Sequence, residues 1–493
     1  MGQYRFSIPD SSRFSMDSLM ASQIVGLEGI PWPGKAILHE GILHVTRNNS
    51  VSGRLLVRWQ TARFGDLALL TGTLPESETA YAMELEITRG CLNRLRNQIA
   101  IWLEGGLPIC EEIQDRLHIL VEQFAEALFS VNDRVKQTRI CETIIDEAVE
   151  LMFEVTDEFS RQIAAFQESH PDSVPVFAGT FIDEAAAASL PAPVLALAAQ
   201  KTGQPTATEP PDLTLTSQAM EWADEPGEHP VRIVGPLLPF DNPQLPHWLA
   251  EDTSFEKRLE LAKRMCRTLG DKFGRHRKIL HVVSGISGVG HQHFNYPQQL
   301  QMTLEMLEAY EQKAPNQSML ISFDQPWGER LSMSTGGTPA MEIADSLISR
   351  GARIAALGLE FNLDYWPHGS LIRDPLQWVD LIDRWSQLGY PLVIYLSAPT
   401  GQMDPTASGR FYQTIGSTAP STEFPEYLKT IFNLLTQRPW VKRIIWRSAT
   451  DFANARFPFS GLVASDGGKK PIFDTYQQLI SEARKPSFAD GDS

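Results

Sequence analysis

Cysteine is scarce in this chain: Cys91, Cys110, Cys141 and Cys266 are the only four in 493 residues. They are too scattered for a disulfide framework, and none forms a CxxC pair, so no structural zinc site is expected. Positive charge is in deficit too, with 43 Lys and Arg against 60 Asp and Glu and a net charge of −17. That balance opposes capture of a polyanion, which argues against nucleic acid or an anionic membrane as the main partner. Long apolar runs are missing. No stretch approaches the ~20 residues a bilayer crossing requires, and the Ala-rich run 185–199 is broken by Pro191 and Pro193. The opening MGQYRFSIPDSSRFSMDSL has no basic stretch followed by an apolar core, so no secretory signal is expected. Together these absences point to an acidic cytoplasmic protein.

A hydrophobic content of 42% excludes a disordered chain. At about 150 residues per domain, the length suggests roughly three parts, or one large barrel with appendages. Residues 1–80 read as a β-rich module, carbohydrate-binding-like on strand pattern alone, with short β-branched or aromatic runs at 42–45 and 55–59 separated by turn-forming residues. From about residue 82 the period becomes helical: Leu85, Ile87, Leu92, Leu95, Ile99 and Leu103 recur at 3.6-residue spacing until Gly105-Gly106. Helices over 108–130 and 133–168 follow, so 81–170 is a helical segment. Beyond it strands alternate with amphipathic helices. Candidate strands are 174–181, 231–238, 279–283, 319–323, 354–359, 392–396 and 443–446, with an eighth sought in 193–216. Candidate helices are 255–273, 297–313, 339–350, 375–388 and 424–437. Such repetition predicts a parallel sheet covered by helices. The leading architecture for 171–485 is a (β/α)8 barrel, ahead of an open doubly wound sheet.

In a parallel barrel the chemistry lies at the C-terminal strand ends. Here those ends read GPLLPFDNPQLPHWL (235–249), HVVSGISGVGHQH (281–293), ISFDQPWGE (321–329), LGLEFNLDYW (357–366), VIYLSAPTG (393–401) and IIWRSATDFANARFPFSGL (444–462). Aromatic rings beside carboxylates and amides suit carbohydrate, because rings stack on apolar sugar faces and polar side chains satisfy hydroxyls. The candidate binding residues are Asp324, Gln325, Trp327, Asn362, Trp366, Trp446 and Asp451.

These motifs carry a resemblance. From about 230 to 480 the chain resembles the family 10 glycoside hydrolases, the xylanase-type barrels, and in particular their divergent, unsecreted bacterial branch. LPHWL (245–249) resembles the segment after the family's third strand, and HVVSG (281–285) its fourth-strand Asp-Val-Val-Asn-Glu. LGLEFN (357–362) resembles the sixth-strand Gly-x-Gln-x-His. IIWRSATD (444–451) with DGGKKPIFDTYQQL (466–479) resembles the last strand and closing helix. The resemblance implies a β-linked, xylan-type substrate, no cofactor and no metal. It also exposes a departure. The family's acid/base Glu falls on Gly285 and its nucleophilic Glu on Leu396, whereas retaining hydrolysis needs two carboxyl groups about 5–5.5 Å apart.

Other acidic residues stand at strand ends: Asp324, Glu329, Glu360, Asp404 and Asp451. Glu329 and Glu360 follow adjacent strands and are the candidate displaced catalytic pair, one with its pKa raised by a neighbouring carboxylate. The competing reading is a non-catalytic carbohydrate-binding or scaffold barrel; a third is an unrelated barrel enzyme acting on a small metabolite. Gly285-Ile-Ser-Gly-Val-Gly290 lacks the order of a phosphate loop, and His291 and His293 lack a third metal ligand. No nucleophile elbow occurs.

Overall fold

The computed structural model describes residues 2–9, 13–168, 177–182, 193–195, 233–236, 238–239, 254–275, 279–287, 294–333, 337–400, 423–451 and 457–483. The segment 245–249, Gly288 to Gly290, His291, His293 and Asp404 lie outside them.

The first eighty residues form two small sheets. One orders its strands β3 (Gly34–His39), β4 (Ile42–Arg47), β1 (Gly2–Ser7), β7 (Tyr81–Ala82); the other orders β2 (Gln23–Val25), β5 (Arg54–Thr61), β6 (Gly65–Leu70). Strand β1 precedes the apolar runs at 42–45 and 55–59 picked out from sequence; its alternation spans six residues, with Tyr4 and Phe6 facing inward and buried. After the one-turn helix α1 (Met16–Met20) within this region, helices α2 (Met83–Glu104), α3 (Glu111–Phe129) and α4 (Arg134–Glu168) follow, close to the ranges expected from periodicity. Gly90 lets α2 press onto β6, since a Cβ there would stand 2.0 Å from the Leu70 carbonyl oxygen.

The remainder is α/β. Its sheet contains β8 (Phe177–Ile182), β9 (Pro193–Leu195), β10 (Ile233–Val234), β11 (Leu238–Pro239), β12 (Ile279–Ser284), β13 (Met319–Asp324), β14 (Ala356–Asn362), β15 (Leu392–Ser397) and β16 (Val441–Trp446). Neighbours run β9, β8, β16, β15, β14, β13, β12, β11, and β10 pairs with both β9 and β12. Every pairing in this sheet is parallel. The expected strand 231–238 is thus two short segments, and the strand sought in 193–216 is β9. Helices α5 (Phe255–Phe273), α6 (Tyr296–Glu311), α7 (Ala340–Ser349), α8 (Pro375–Ser386), α9 (Phe424–Thr436) and α10 (Pro471–Ala483) cover it. Several start on sequence-legible caps. Asn295 forms a capping box with Gln298, and Asp374 accepts from the Gln377 amide with Pro375 next to it.

One apolar cluster runs through the N-terminal sheets, the helices and the α/β part. Phe64 of the β5–β6 turn stacks on Phe153 of α4 at 3.6 Å, and Phe153 lies 5.9 Å from Tyr427 of α9. Buried ion pairs join the same parts: Arg94 to Asp374 at 2.7 Å and Arg58 to Asp364 at 2.9 Å. Ion pairs this deep hold register, because separating them leaves an uncompensated charge. Among the described residues, no helix is long and apolar enough to cross a membrane.

Candidate functional site at the strand ends

Strand side chains alternate between two faces. Ile321, Phe323, Leu359, Phe361, Ile394, Leu396 and Trp446 join the helix-covered core. Leu320, Ala356, Val393, Tyr395 and Ile445 form a separate apolar cluster on the opposite face with Ile233 and Ile279. Two residues further along that second face the character changes to polar: Ser322 and Asp324 on β13, Glu360 and Asn362 on β14, Ser397 on β15, and Arg447 just after β16. His281 of β12 completes the layer.

Glu360 is its centre and is 1% exposed. Arg447 Nη1 donates to Glu360 Oε2 at 2.5 Å, the Gly285 amide donates to Oε1 at 3.1 Å, and Ser322 Oγ also donates to Oε1. With its hydrogen committed to Glu360, Ser322 accepts from His281 Nε2 at 2.7 Å. His281 Nδ1 lies 3.2 Å from the Tyr395 hydroxyl. The result is a hydrogen-bonded chain linking Tyr395, His281, Ser322 and Glu360. Burial, and secondarily the Glu360 charge, pushes the Tyr395 phenol up, so it keeps its proton. Gly358 makes room: a Cβ there would lie 2.5 Å from Ser322 Cβ and 3.0 Å from the Tyr395 ring. Beside this chain Ser397 Oγ donates to Asn362 Oδ1 at 2.7 Å, while Asn362 Nδ2 is buried with no hydrogen-bond partner among the described residues. Arg447, 19% exposed in its side chain, is the charged group of the layer nearest solvent.

The other expected residues are placed as follows. Glu329, fully buried, meets Arg373 Nη2 at 3.0 Å. Burial pushes the Glu329 carboxyl up and Arg373 opposes it, so desolvation rather than a neighbouring carboxylate is the cause. Arg373 in turn bonds Gln377, whose Nε2 donates to the Ala68 carbonyl at 2.7 Å. Glu329 therefore belongs to the junction with the N-terminal sheet. Glu360 is held by Arg447, the Gly285 amide and Ser322, and Glu329 by Arg373. Asp324 shares the face of Glu360 and accepts from Ser287 Oγ at 2.8 Å. With Ser287, Gln299, Arg330 and Thr338 it lines a small cleft. Gln325, at φ +43°, donates through Nε2 to the carbonyls of Pro367 and Gly369, pinning the loop after β14. Asp451 clamps the chain after β16, accepting from the Gly461 amide at 2.8 Å and pairing with Lys470 at 2.6 Å.

None of the three tryptophans offers an open face. Trp327 packs edge-on against Phe361 and Trp378 beneath Arg373. Trp366 lies among Val25, Leu56 and Leu70, against the N-terminal sheet. Trp446 is 1% exposed on the helix-covered face, its Nε1 donating to the Ser460 carbonyl. All three are 1–6% exposed and packed against neighbouring side chains. The residues of the polar layer not picked out from sequence are Ser322, Tyr395, Ser397 and Arg447, together with the buried position of His281. Among the described residues no cluster of three or more His, Cys, Asp or Glu is arranged to hold a metal.

No family model and no curated protein matches this chain. Solved structures show likenesses of low identity. Native xylanase 10B from Thermotoga maritima is 15% identical with a TM-score of 0.45, over 62% of this chain and 95% of that one. The intracellular xylanase TsXylA from Thermoanaerobacterium saccharolyticum is 14% identical with a TM-score of 0.44, over 62% and 95%. The exo-β-1,4-mannosidase Op5Man5 from Opitutaceae bacterium strain TAV5 is 13% identical with a TM-score of 0.46, over 64% and 60%.

Proposed function

We propose that residues 171–485 form a (β/α)8 barrel of glycoside-hydrolase type that binds a β-linked saccharide at its strand-end mouth without hydrolysing it. The parallel pairings, with β10 bridging β9 and β12, support closure of the sheet. The observation that carries the non-hydrolytic reading is the engagement of Glu360 by Arg447, the Gly285 amide and Ser322. Each of these donors stabilises the carboxylate rather than the carboxylic acid, which is the wrong bias for a general acid. The positions the resemblance assigns to the catalytic pair support the same reading. Gly285 has no side chain, and Leu396 lies in the helix-covered core. Recognition is by hydrogen bonds from the Asn362 amide, Ser397 and Arg447, with Asp324 at the neighbouring strand end.

Titration calorimetry with xylo- and mixed-linkage gluco-oligosaccharides, run beside a reducing-end assay, tests this. Binding without product is expected, weakened about tenfold by Asn362→Ala through loss of its hydrogen bonds. Turnover abolished by Glu360→Gln would establish an enzyme instead, and absence of any saccharide binding would remove the ligand class.

A further inference from the structure

We infer that the tip of the α3–α4 hairpin is a contact surface for a second copy of this chain, joined about a two-fold axis that sets α3 of one copy against α4 of the other. The surface lies in the helical segment, away from the polar layer, and does not depend on the saccharide reading.

The chain turns at residues 130–133 between the end of α3 and the start of α4. Leu128, Phe129, Val131 and Val135 stand exposed around that turn, Phe129 at 88%, Val131 at 67% and Val135 at 73%. Single exposed apolar residues are ordinary, but these lie within one turn of chain and form an apolar knuckle, and patches of that kind mark contact surfaces. Turn chemistry asks only for the polar Ser130, Asn132 and Asp133 beside them.

The charges next to the knuckle are sorted by helix. Glu122 and Glu126 stand one turn apart on α3, with Phe129 following, and Lys136 and Arg139 stand in the first two turns of α4 beside Val135. All four charged residues are exposed. Lys136 bridges Glu126 at 2.7 Å within the chain, so Glu122 and Arg139, each a turn further from the tip, run abreast. The hairpin therefore has an acidic edge and a basic edge that meet at an apolar end. A two-fold rotation exchanges the edges and sets each against its opposite on the partner, which is the self-complementarity a closed dimer needs. A net charge of −17 makes an unselected encounter between copies repulsive, and an exposed basic edge beside the knuckle favours this approach over others. A hairpin tip is a small contact, so the affinity belongs at about the micromolar level.

Analytical ultracentrifugation of the full chain from about 1 to 100 μM tests the contact. Wild type is expected to pass from monomer to dimer over that range. Phe129→Ser, Glu122→Lys and Arg139→Glu are each expected to weaken dimerisation about tenfold or more, because a two-fold contact repeats every substitution. The two charge reversals leave the Lys136–Glu126 bridge in place, and thermal melting confirms that each variant is folded. In an equal mixture of Glu122→Lys and Arg139→Glu, the mixed dimer has opposite charges at both contacts. It is expected to recover wild-type affinity within about threefold. A mixture no tighter than either variant alone, or single variants that dimerise as tightly as wild type, overturns the proposal. A wild type that stays monomeric up to about 100 μM also overturns it, and leaves the knuckle to a different partner.

Discussion

Replacing Glu360 by Gln separates a carboxylate kept for structure from one kept for chemistry. The substitution preserves volume but removes the charge facing Arg447 at 2.5 Å. It also sets an amide NH2 where at least one of three donors, the Gly285 amide, Ser322 or Arg447, already points. Removing one partner of a buried pair costs about 3–5 kcal/mol, and each hydrogen bond to a charged group contributes about 1.5–3 kcal/mol. Glu360 is 1% exposed, which favours the full penalty, but Arg447 keeps 19% of its side chain open to water and can recover some solvation. The lower end, about 3 kcal/mol, is therefore expected. That loss is large against a total stability of ~5–15 kcal/mol.

Urea unfolding of wild type and Glu360→Gln, followed by tryptophan fluorescence, measures the difference directly. Adding Arg447→Met should recover part of the loss, because a pair replaced as a unit leaves no orphaned charge. A catalytic carboxylate held in an unfavourable setting behaves oppositely: its amide variant unfolds no more easily than wild type, or less easily. A neutral or stabilising Glu360→Gln would refute the structural account and return Glu360 to the list of candidate acids.

Three further outcomes follow from other carboxylates. Glu329→Gln leaves Arg373 without its buried counter-charge and should cost about 3 kcal/mol in the same unfolding assay, with saccharide affinity unchanged within twofold. Asp451→Asn weakens the Lys470 contact but leaves Lys470 bonded to Thr400 Oγ1 and the Phe459 carbonyl, so a smaller loss of about 1–2 kcal/mol is expected. Burial pushes Asp364 from 3.8 up to about 6 despite Arg58. A folded-state pKa raised in this way contributes stability below about pH 4 that is lost as pH rises through about 6, on the order of 3 kcal/mol in all. Stability measured from pH 4 to 7 should fall more steeply in wild type than in Asp364→Asn, and parallel curves would rule out Asp364 as the source.

Much of the element order was legible because parallel strands buried on both faces read as continuous apolar runs, as in 279–284 and 392–397, between helices with recognisable starts. The exceptions have physical reasons. β9 and β10 contribute only three and two residues to the sheet, too few for any period to register. The polar layer was half legible. Glu360 and Asn362 came from one strand motif, but His281, Ser322, Tyr395 and Arg447 come from four different strand regions and meet only in the folded sheet. No local pattern announces a hydrogen-bond chain whose links are 41 and 114 residues apart.

Strand parity places Trp446 and bears on the chemistry as well. Trp446 and Arg447 are neighbours at a strand end, so one faces the helices and the other the polar layer; the charged residue holds the inner position. The same alternation applies to Leu396 and Ser397. Leu396 is turned into the core, and the polar position on that strand belongs to Ser397, which donates its hydroxyl to Asn362. By the resemblance, this is the strand that carries the family's nucleophilic Glu, and Asn362 stands where the family has His. The one carboxylate at the centre of the network is on the neighbouring strand, at the family's Gln position, and it comes with its own cation. Retaining hydrolysis requires two carboxyl groups flanking one bond. Glu360 paired with Arg447 is biased towards its carboxylate form, and this bias is what the proposed non-hydrolytic reading rests on.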